Sequence, residues 1–408
     1  MANLRFNLRG FALAVSSLLA LGGCAVGPES GEVGVPPPSA AKSDCRFVWR
    51  GFMLDECRHF FGKEIVKDYL DRMAALKLNV FHWHLSDDQA WRLDLPGMGE
   101  LVRYGAKRSS TPLPGTDRKS DRTPYGPFFY TAADVKEIVG YAAARGILVV
   151  PEIEMPGHVR ALLAAHPEFA CEGVGETLVR EPWTEFGVCK EVLCAGNDAA
   201  LAYMERVLDE VMKLFPGEFI HIGGDECPKA AWKRCPRCQA RIRECGLKDE
   251  VALQGWLTKR MAEYVAAKGR RAIGWDEVLD GEKLPPSTVI QSWRGTEGGI
   301  AAAKRGHDVI MSPSEWTYFT IPEGLPGDPY KYRSWARKKR LPAAKMRAFD
   351  PEAGVPEELR SHILGAECCA WSEFLCDRAE LEYKTLNRLS AFAEAVTRGP
   401  AETVPRKP

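Results

Sequence analysis

"TAADVKEIVGYAAARGILVVPEIEMPGH", residues 131–158, contains one whole unit of the fold. Thr131 is a good N-cap residue, the segment behind it carries a helical pattern, and Gly146 stops it. The run that follows, "GILVVPEIE" (146–154), is short and β-type, and polar residues (Glu152, Glu154, His158) gather at its end. A helix followed by a strand with chemistry at its C-terminal end is half of a βαβ repeat.

The same unit recurs along the chain. Further β-type runs are "RGFMLD" (50–55), "NVFHWHL" (79–85), "EFIHIGGDE" (218–226), "RRAIGWDE" (270–277), "TVIQSWRG" (288–295), "HDVIMSP" (307–313) and "ILGAECCAWSE" (363–373). Helical patterns lie between most of them, at 63–77, 197–217, 252–269 and 297–306, with another at 381–399 after the last run. Eight β/α alternations over roughly 350 residues predict an α/β fold, a (β/α)8 barrel in a single domain, with an open doubly wound sheet as the alternative. The barrel is expected over 46–400 with a short tail at 401–408, which leaves no room for another sizeable domain. The segment 317–356, basic and proline-rich, reads as a long loop after the seventh strand whose charge is a solvated face.

Lys plus Arg and Asp plus Glu both number 55, so the formal charge is zero and nothing in the composition points to nucleic acid. The N-terminus is different. Arg5 and Arg9 precede an apolar run from Gly10 to about Leu21, too short to span a bilayer and read as a signal peptide. It ends in "LGGC" (21–24), similar to a bacterial lipobox, so residues 1–23 are expected to be removed and Cys24 lipidated. A plain secretory signal is the alternative. Residues 24–45 then form a flexible tether, and the protein is expected to be exported and membrane-anchored, on the periplasmic or cell-surface side.

Polar residues collect at the ends of the strands, where a barrel keeps its active site: His82, His84, Asp87 and Asp88; Glu152, Glu154 and His158; Asp225 and Glu226; Trp275, Asp276 and Glu277; Trp293 and Arg294; Trp371 and Glu373. Carboxylates beside several tryptophans suggest a sugar, whose apolar ring faces stack on indole. A catalytic metal is the weaker reading of "HWHLSDD" and "PGH", since the residues lack the spacing of a familiar metallohydrolase motif. No cofactor is implied. Asp225 and Glu226 are adjacent and cannot easily bracket one anomeric carbon as an acid and a nucleophile about 5 Å apart. One acid for proton transfer and one to orient substrate fits better, with a 2-acetamido group of the sugar as the nucleophile.

Together "MLDECRHF", "HWHLSDDQAWR", "VPEIEMPGH", "HIGGDE", "GWDE", "QSWRG" and "AWSE" resemble glycoside hydrolase family 20, the β-N-acetylhexosaminidases, from about Arg50 to Arg398. The resemblance implies exo-acting removal of terminal β-linked N-acetylhexosamine from glycans, with endo-acting or disaccharide-releasing action and non-catalytic sugar binding as rivals. It implies Glu226 as general acid/base and Asp225 as the group that orients the acetamide. Tyr318 would donate to the acetamide oxygen, Trp275, Trp293 and Trp371 would wall the pocket, and Arg58 and Glu373 would bind hydroxyls. His158 with Asp87 or Asp88 would form a relay to Glu226, whose pKa is expected to be raised. The chain departs from the family pattern in three places. It is expected to lack the α/β domain that usually precedes the barrel. Thr320 stands where a hydroxyl-binding Asp is common, with Asp328 or Glu323 as possible substitutes. "CPKAAWKRCPRCQARIREC" (227–245) has no counterpart. Its Cys227, Cys235, Cys238 and Cys245 are expected to form disulfides, with structural zinc as the alternative, and Cys171–Cys194 is the best guess for one bridge.

Overall fold

The computed structural model describes residues 45–398 apart from 114, 115, 117, 118 and 282. The signal peptide, Cys24, most of the tether and the 401–408 tail lie outside the described residues.

Eight parallel strands close into a barrel in sequence order. They are β1 (Trp49–Asp55), β2 (Val80–His84), β3 (Leu148–Glu152), β4 (Phe219–His221), β5 (Arg271–Trp275), β6 (Val289–Ser292), β7 (Val309–Met311) and β8 (Ile363–Ala370). β1 pairs with both β2 and β8, which excludes the open sheet. Every expected strand is present, but most end early. Beyond His84, Glu152 and His221 the chain leaves the ladder; Leu85, Ile153 and Ile222 pack into the core, and Asp87, Glu154, Asp225 and Glu226 turn toward the mouth.

The helices at Lys63–Ala75, Ala132–Ala143, Asp198–Leu214, Glu250–Ala267, Glu297–Lys304 and Arg378–Thr397 match the expected patterns to within a few residues. Thr131 caps its helix through a reciprocal capping box with Asp134. The alternation is incomplete in two places. Between β5 and β6 there is only a 3-10 turn, Asp276–Asp280, rather than a crossover helix. Between β7 and β8 the chain forms short helices of four and five residues, Ser314–Thr317 and Ala343–Arg347, in place of a full crossover helix. Short helices at Arg160–Ala165 and Pro236–Glu244 are too brief for the apolar period to declare them.

The barrel interior is layered. Trp49, Val80, Leu148, Val150, Phe219, Ile273, Val289 and Ile310 plug its lower end. Above them lies a polar layer. His82 Nδ1 is 2.7 Å from Glu367 Oε1, Gln291 donates to Glu367 at 2.8 Å, and Glu152 meets His84, His221 and the Trp275 indole N–H. Burial costs such groups dearly unless they are paired, and here each carboxylate faces cationic or N–H partners. His82 and His84, two residues apart on β2, face the same side, and each contacts a buried carboxylate. At the top, Met53, Trp275, Tyr318 and Cys369 pack with Trp293 and Trp371 to floor the mouth.

The cysteines are arranged differently from the expected bridges. Cys171 and Cys194 are not a pair by themselves. They join Cys235 and Cys238 in one buried cluster, to which Cys227 and Cys245 do not belong. Sequence proximity suggested the wrong grouping because the chain returns to Cys171 and Cys194 only through the tertiary fold.

Gly365 in β8 has φ +147°, and a Cβ there would meet the Trp49 carbonyl across the β1–β8 pair. Gly365→Ala should therefore destabilise the barrel by about 2–4 kcal/mol. Urea unfolding followed by tryptophan fluorescence checks this, and an unchanged midpoint would show that the contact is not obligatory.

Candidate active site

The turn after β4 explains the paired glycines of "HIGGDE". Gly223 and Gly224 have φ of +63° and +99°. A Cβ on Gly223 would run into the Glu154 carboxylate, and one on Gly224 into Val278. Only glycines let the chain pass between these neighbours and present Asp225 and Glu226 to the mouth. Glu226 itself has φ +42° and His158 has φ +51°. Non-glycine residues rarely occupy that region, and such strain gathers at functional sites.

A cavity of about 310 Å³ opens at this end. Of the residues singled out from sequence, Arg58, Asp87, His158, Asp225, Glu226, Trp293, Tyr318, Trp371 and Glu373 line it. Trp275 does not. It is buried beneath Trp371, ring centroids 5.8 Å apart, and donates its indole N–H to Glu152 at 2.7 Å. Asp88 is also behind the wall, where it accepts from the Arg160 amide and contacts His158.

His158 joins two carboxylate pairs. Its Nδ1 lies 3.0 Å from Asp88 and 3.3 Å from Asp87, and its Nε2 lies 3.5 Å from Glu226 and 3.7 Å from Asp225. Burial alone would neutralise the ring, but Asp87 foremost among these acids holds its pKa well above the usual histidine value. Asp87 also binds Arg58 at 2.8 Å, and Asp55 and Gln89 fix the same guanidinium at 3.2 and 2.8 Å.

The two acids of the pair titrate in opposite directions, and not as the sequence led us to expect. Burial, reinforced by Glu226, pushes Asp225 up to about 8 against the pull of His158. Burial is also the strongest single influence on Glu226, but the His158 hydrogen bond and the charges of His158, Arg58 and Arg333 together outweigh it, so Glu226 falls below its ordinary value. The expected raised Glu226 is thus corrected for the unliganded site. Its side chain is 41% exposed against 12% for Asp225, so it pays less desolvation. Asp225 Oδ1 is buried and has no hydrogen-bond partner.

Trp293 and Tyr318 lie nearly parallel, 6.5 Å apart and 14° between planes, and Trp371 sits 6.1 Å from Tyr318. Together they make an apolar wall beside Asp225. Asp276 accepts from the Trp293 and Arg294 amides at 3.0 and 3.2 Å and so holds the first of these rings in place.

Glu154 was named among the strand-end acids but given no role, and the cavity residues of the long loop were missed in the sequence. Glu154 faces Asp225, and burial first and that neighbour second hold it well above the usual carboxylate range. The long loop is more than a solvated face, because Arg333, Trp335 and Lys339 line the cavity. Arg333 binds Glu373 at 2.6 Å. Thr320 does face the cavity, but neither expected substitute joins it: Glu323 binds Asn387, and Asp328 accepts from Tyr332 at 2.7 Å. The basic, aromatic run "YKYRSWARKK" (330–339) was the available signal, although no periodicity says which of its side chains turn inward.

The profile described as glycosyl hydrolase family 20, catalytic domain, matches residues 47–399. A β-hexosaminidase of Porphyromonas gingivalis is 42% identical over 90% of this chain and 45% of its own length. One of Vibrio furnissii is 35% identical over 94% of this chain and 61% of its own length. The chain thus spans about half to three-fifths of these relatives. The exo-β-N-acetylglucosaminidase of Vibrio harveyi, solved with N-acetylglucosamine, superposes with a TM-score of 0.77 at 32% identity, over 88% of this chain and 55% of that one.

The raised Asp225 has a consequence for stability. The folded protein keeps a proton there up to about 8, whereas an unfolded aspartate releases it near 3.8. The stability this contributes is full below the lower value and is lost as pH rises through the upper one. Asp225→Asn cannot ionise, so its melting temperature should gain on the wild type progressively between about pH 4 and 8. Thermal melts across that range check it, and a pH-independent difference would contradict the assignment.

Proposed function

The chain belongs to glycosyl hydrolase family 20, and from that membership we propose that it is an exo-acting β-N-acetylhexosaminidase that releases terminal β-linked N-acetylhexosamine with retention of configuration. The observation that carries this reading is the buried, unpartnered Asp225 Oδ1 beside an aromatic wall. An acetamide supplies what that corner lacks, an N–H for the carboxylate and a methyl for the indoles.

In the proposed reaction the substrate displaces water from Glu226 and donates its amide N–H to Asp225. Desolvation raises Glu226 and the new hydrogen bond lowers Asp225, so the proton of the pair moves to Glu226. Glu226 then protonates the leaving glycosidic oxygen as the acetamide oxygen attacks C1, breaking the C1–O bond and forming a cyclic oxazolinium. Ionised Asp225 stabilises its positive N–H, and the Tyr318 hydroxyl is taken to hold the oxygen. Glu226, now a carboxylate, accepts a proton from the water that opens the ring at C1. His158, held by Asp87 and Asp88, orients both acids. Arg58 and Glu373 are assigned the sugar hydroxyls, and Arg333, bound to Glu373 at the cavity wall, adds a donor beside it.

A cavity of about 310 Å³ suits one sugar more than a chain, which favours exo action over the endo and disaccharide-releasing alternatives. Trp335, 42% exposed at the rim, is suited to stack on the leaving group. Outside the described residues, the basic start, short apolar run and "LGGC" support export and lipid anchoring at Cys24.

Aryl N-acetylglucosaminide and N-acetylgalactosaminide should be hydrolysed and the unsubstituted glucoside should not. Comparable kcat/KM for the glucoside would contradict acetamide participation. Glu226→Gln should lower kcat by about 10²–10⁴-fold on natural glycosides, with a smaller loss on aryl substrates whose leaving groups need no proton. Equal losses on both would remove Glu226 as the acid. Cys24→Ala should release the protein from the membrane fraction or leave its precursor unprocessed, and unchanged membrane association would argue against the anchor.

A further inference from the structure

We propose that Cys171, Cys194, Cys235 and Cys238 bind one zinc ion as a closed tetrathiolate site that fastens the loop after β3 to the loop after β4. Their four sulfurs lie within 4.8 Å of one another, and all four residues are at most 2% exposed. Cys171 is 3.8 Å from Cys238, Cys194 is 3.7 Å from Cys235, and Cys194 is 3.6 Å from Cys238. With Zn–S bonds of about 2.3 Å, a regular tetrahedron has edges of about 3.8 Å. A disulfide would bring one pair to about 2.05 Å. Cys194 is instead equally near two partners, which is the arrangement of a shared ligand at the centre and not of a bonded pair.

The backbone is built for close convergence at this point. Cys235 and Cys238 flank the start of the helix Pro236–Glu244, in the C-x-x-C spacing of a metal knuckle. A Cβ on Gly196 would collide with the backbone of Arg237 and Cys238, so glycine is what lets the Cys194 segment lie against that helix. Four buried thiols gain little from one another. A divalent ion taking them as thiolates, with release of four protons, satisfies all of them at once. Four soft sulfur ligands in a closed, buried shell leave no position for water, which marks a structural rather than a catalytic site.

The clamp lies behind the active site. Cys171 and Cys194 belong to the connection after β3 that carries His158, and Cys235 and Cys238 to the connection after β4 that carries Asp225 and Glu226. Between the clamp and the acids the two loops are already joined. The Trp232 indole donates to the Leu193 carbonyl at 2.9 Å, and the Leu193 amide donates to the Pro156 carbonyl at 3.0 Å. Gly157 passes so close to the backbone of Asp225 and Cys227 that a Cβ would lie 3.0 Å from the Asp225 carbonyl oxygen. Zinc would hold the outer ends of loops whose inner ends set the distance from His158 to its acids.

Metal content and thiol state test this without reference to activity. The full chain, produced without a metal-binding tag, is desalted and measured by plasma mass spectrometry. It is then denatured with chelator, alkylated and weighed. The expected result is about one zinc per chain with all four cysteines alkylated. A mercurial should release that zinc as the four thiols react. Cys171→Ser and Cys238→Ser should each lower bound zinc about tenfold or more, whereas Cys227→Ser and Cys245→Ser should retain it. If a variant fails to fold, the wild-type stoichiometry and alkylation still decide. Disulfides among the four, free thiols in folded protein that takes up no added zinc chloride, or iron in place of zinc would each overturn the proposal.

Discussion

His158 sits between two pairs of consecutive acids, with Asp87 and Asp88 at Nδ1 and Asp225 and Glu226 at Nε2. Four carboxylates cannot gather at the mouth of a barrel as anions without a cation among them. The imidazolium supplies one positive charge, Arg58 another through Asp87, and a proton retained on Asp225 removes one negative charge. Much of the surrounding structure serves this arrangement. The positive φ of His158 and Glu226 and the glycines at 223 and 224 are backbone concessions that bring the groups within reach.

The same contact gives the two neighbouring acids different properties. Asp225 faces inward, toward Glu154 and the tryptophan wall, and its proton is the cheapest way to be buried. Glu226 faces water and a cationic rim, and is ionised until something covers it. A substrate that brings an amide N–H to one and excludes water from the other reverses both environments in a single binding event. In the proposed reaction, proton placement then becomes part of substrate recognition, and a ligand without the amide would leave the proton on Asp225, away from the leaving oxygen.

Most of the barrel could be read in the sequence because each β/α unit carries its own signal. Short apolar runs, a Thr131 cap and glycine stops are local properties. The place of Asp225 and Glu226 at the mouth was readable for the same reason, since "GGDE" closes an apolar strand run. The features that escaped depend on what folds back over the mouth. Arg333 reaches Glu373 from 40 residues away, and Trp275 passes beneath Trp371, neither of which any period announces. The direction of the Glu226 shift depended on unequal exposure of adjacent residues. The cysteine cluster joins positions 171 and 238, so grouping by nearness in sequence put Cys227 and Cys245 in it wrongly.

The most direct test of this account is where the proton of the acid pair resides. Infrared difference spectra at neutral pH, comparing wild type with Asp225→Asn and Glu226→Gln, distinguish a protonated carboxyl on one residue from the other, first without ligand and then with a thiazoline mimic of the cyclised intermediate. The account predicts a protonated-carboxyl band in the unliganded protein that disappears in Asp225→Asn. On binding the mimic, that band should be replaced by one that disappears in Glu226→Gln. A band assigned to Glu226 in the unliganded protein, unchanged by the mimic, would contradict it.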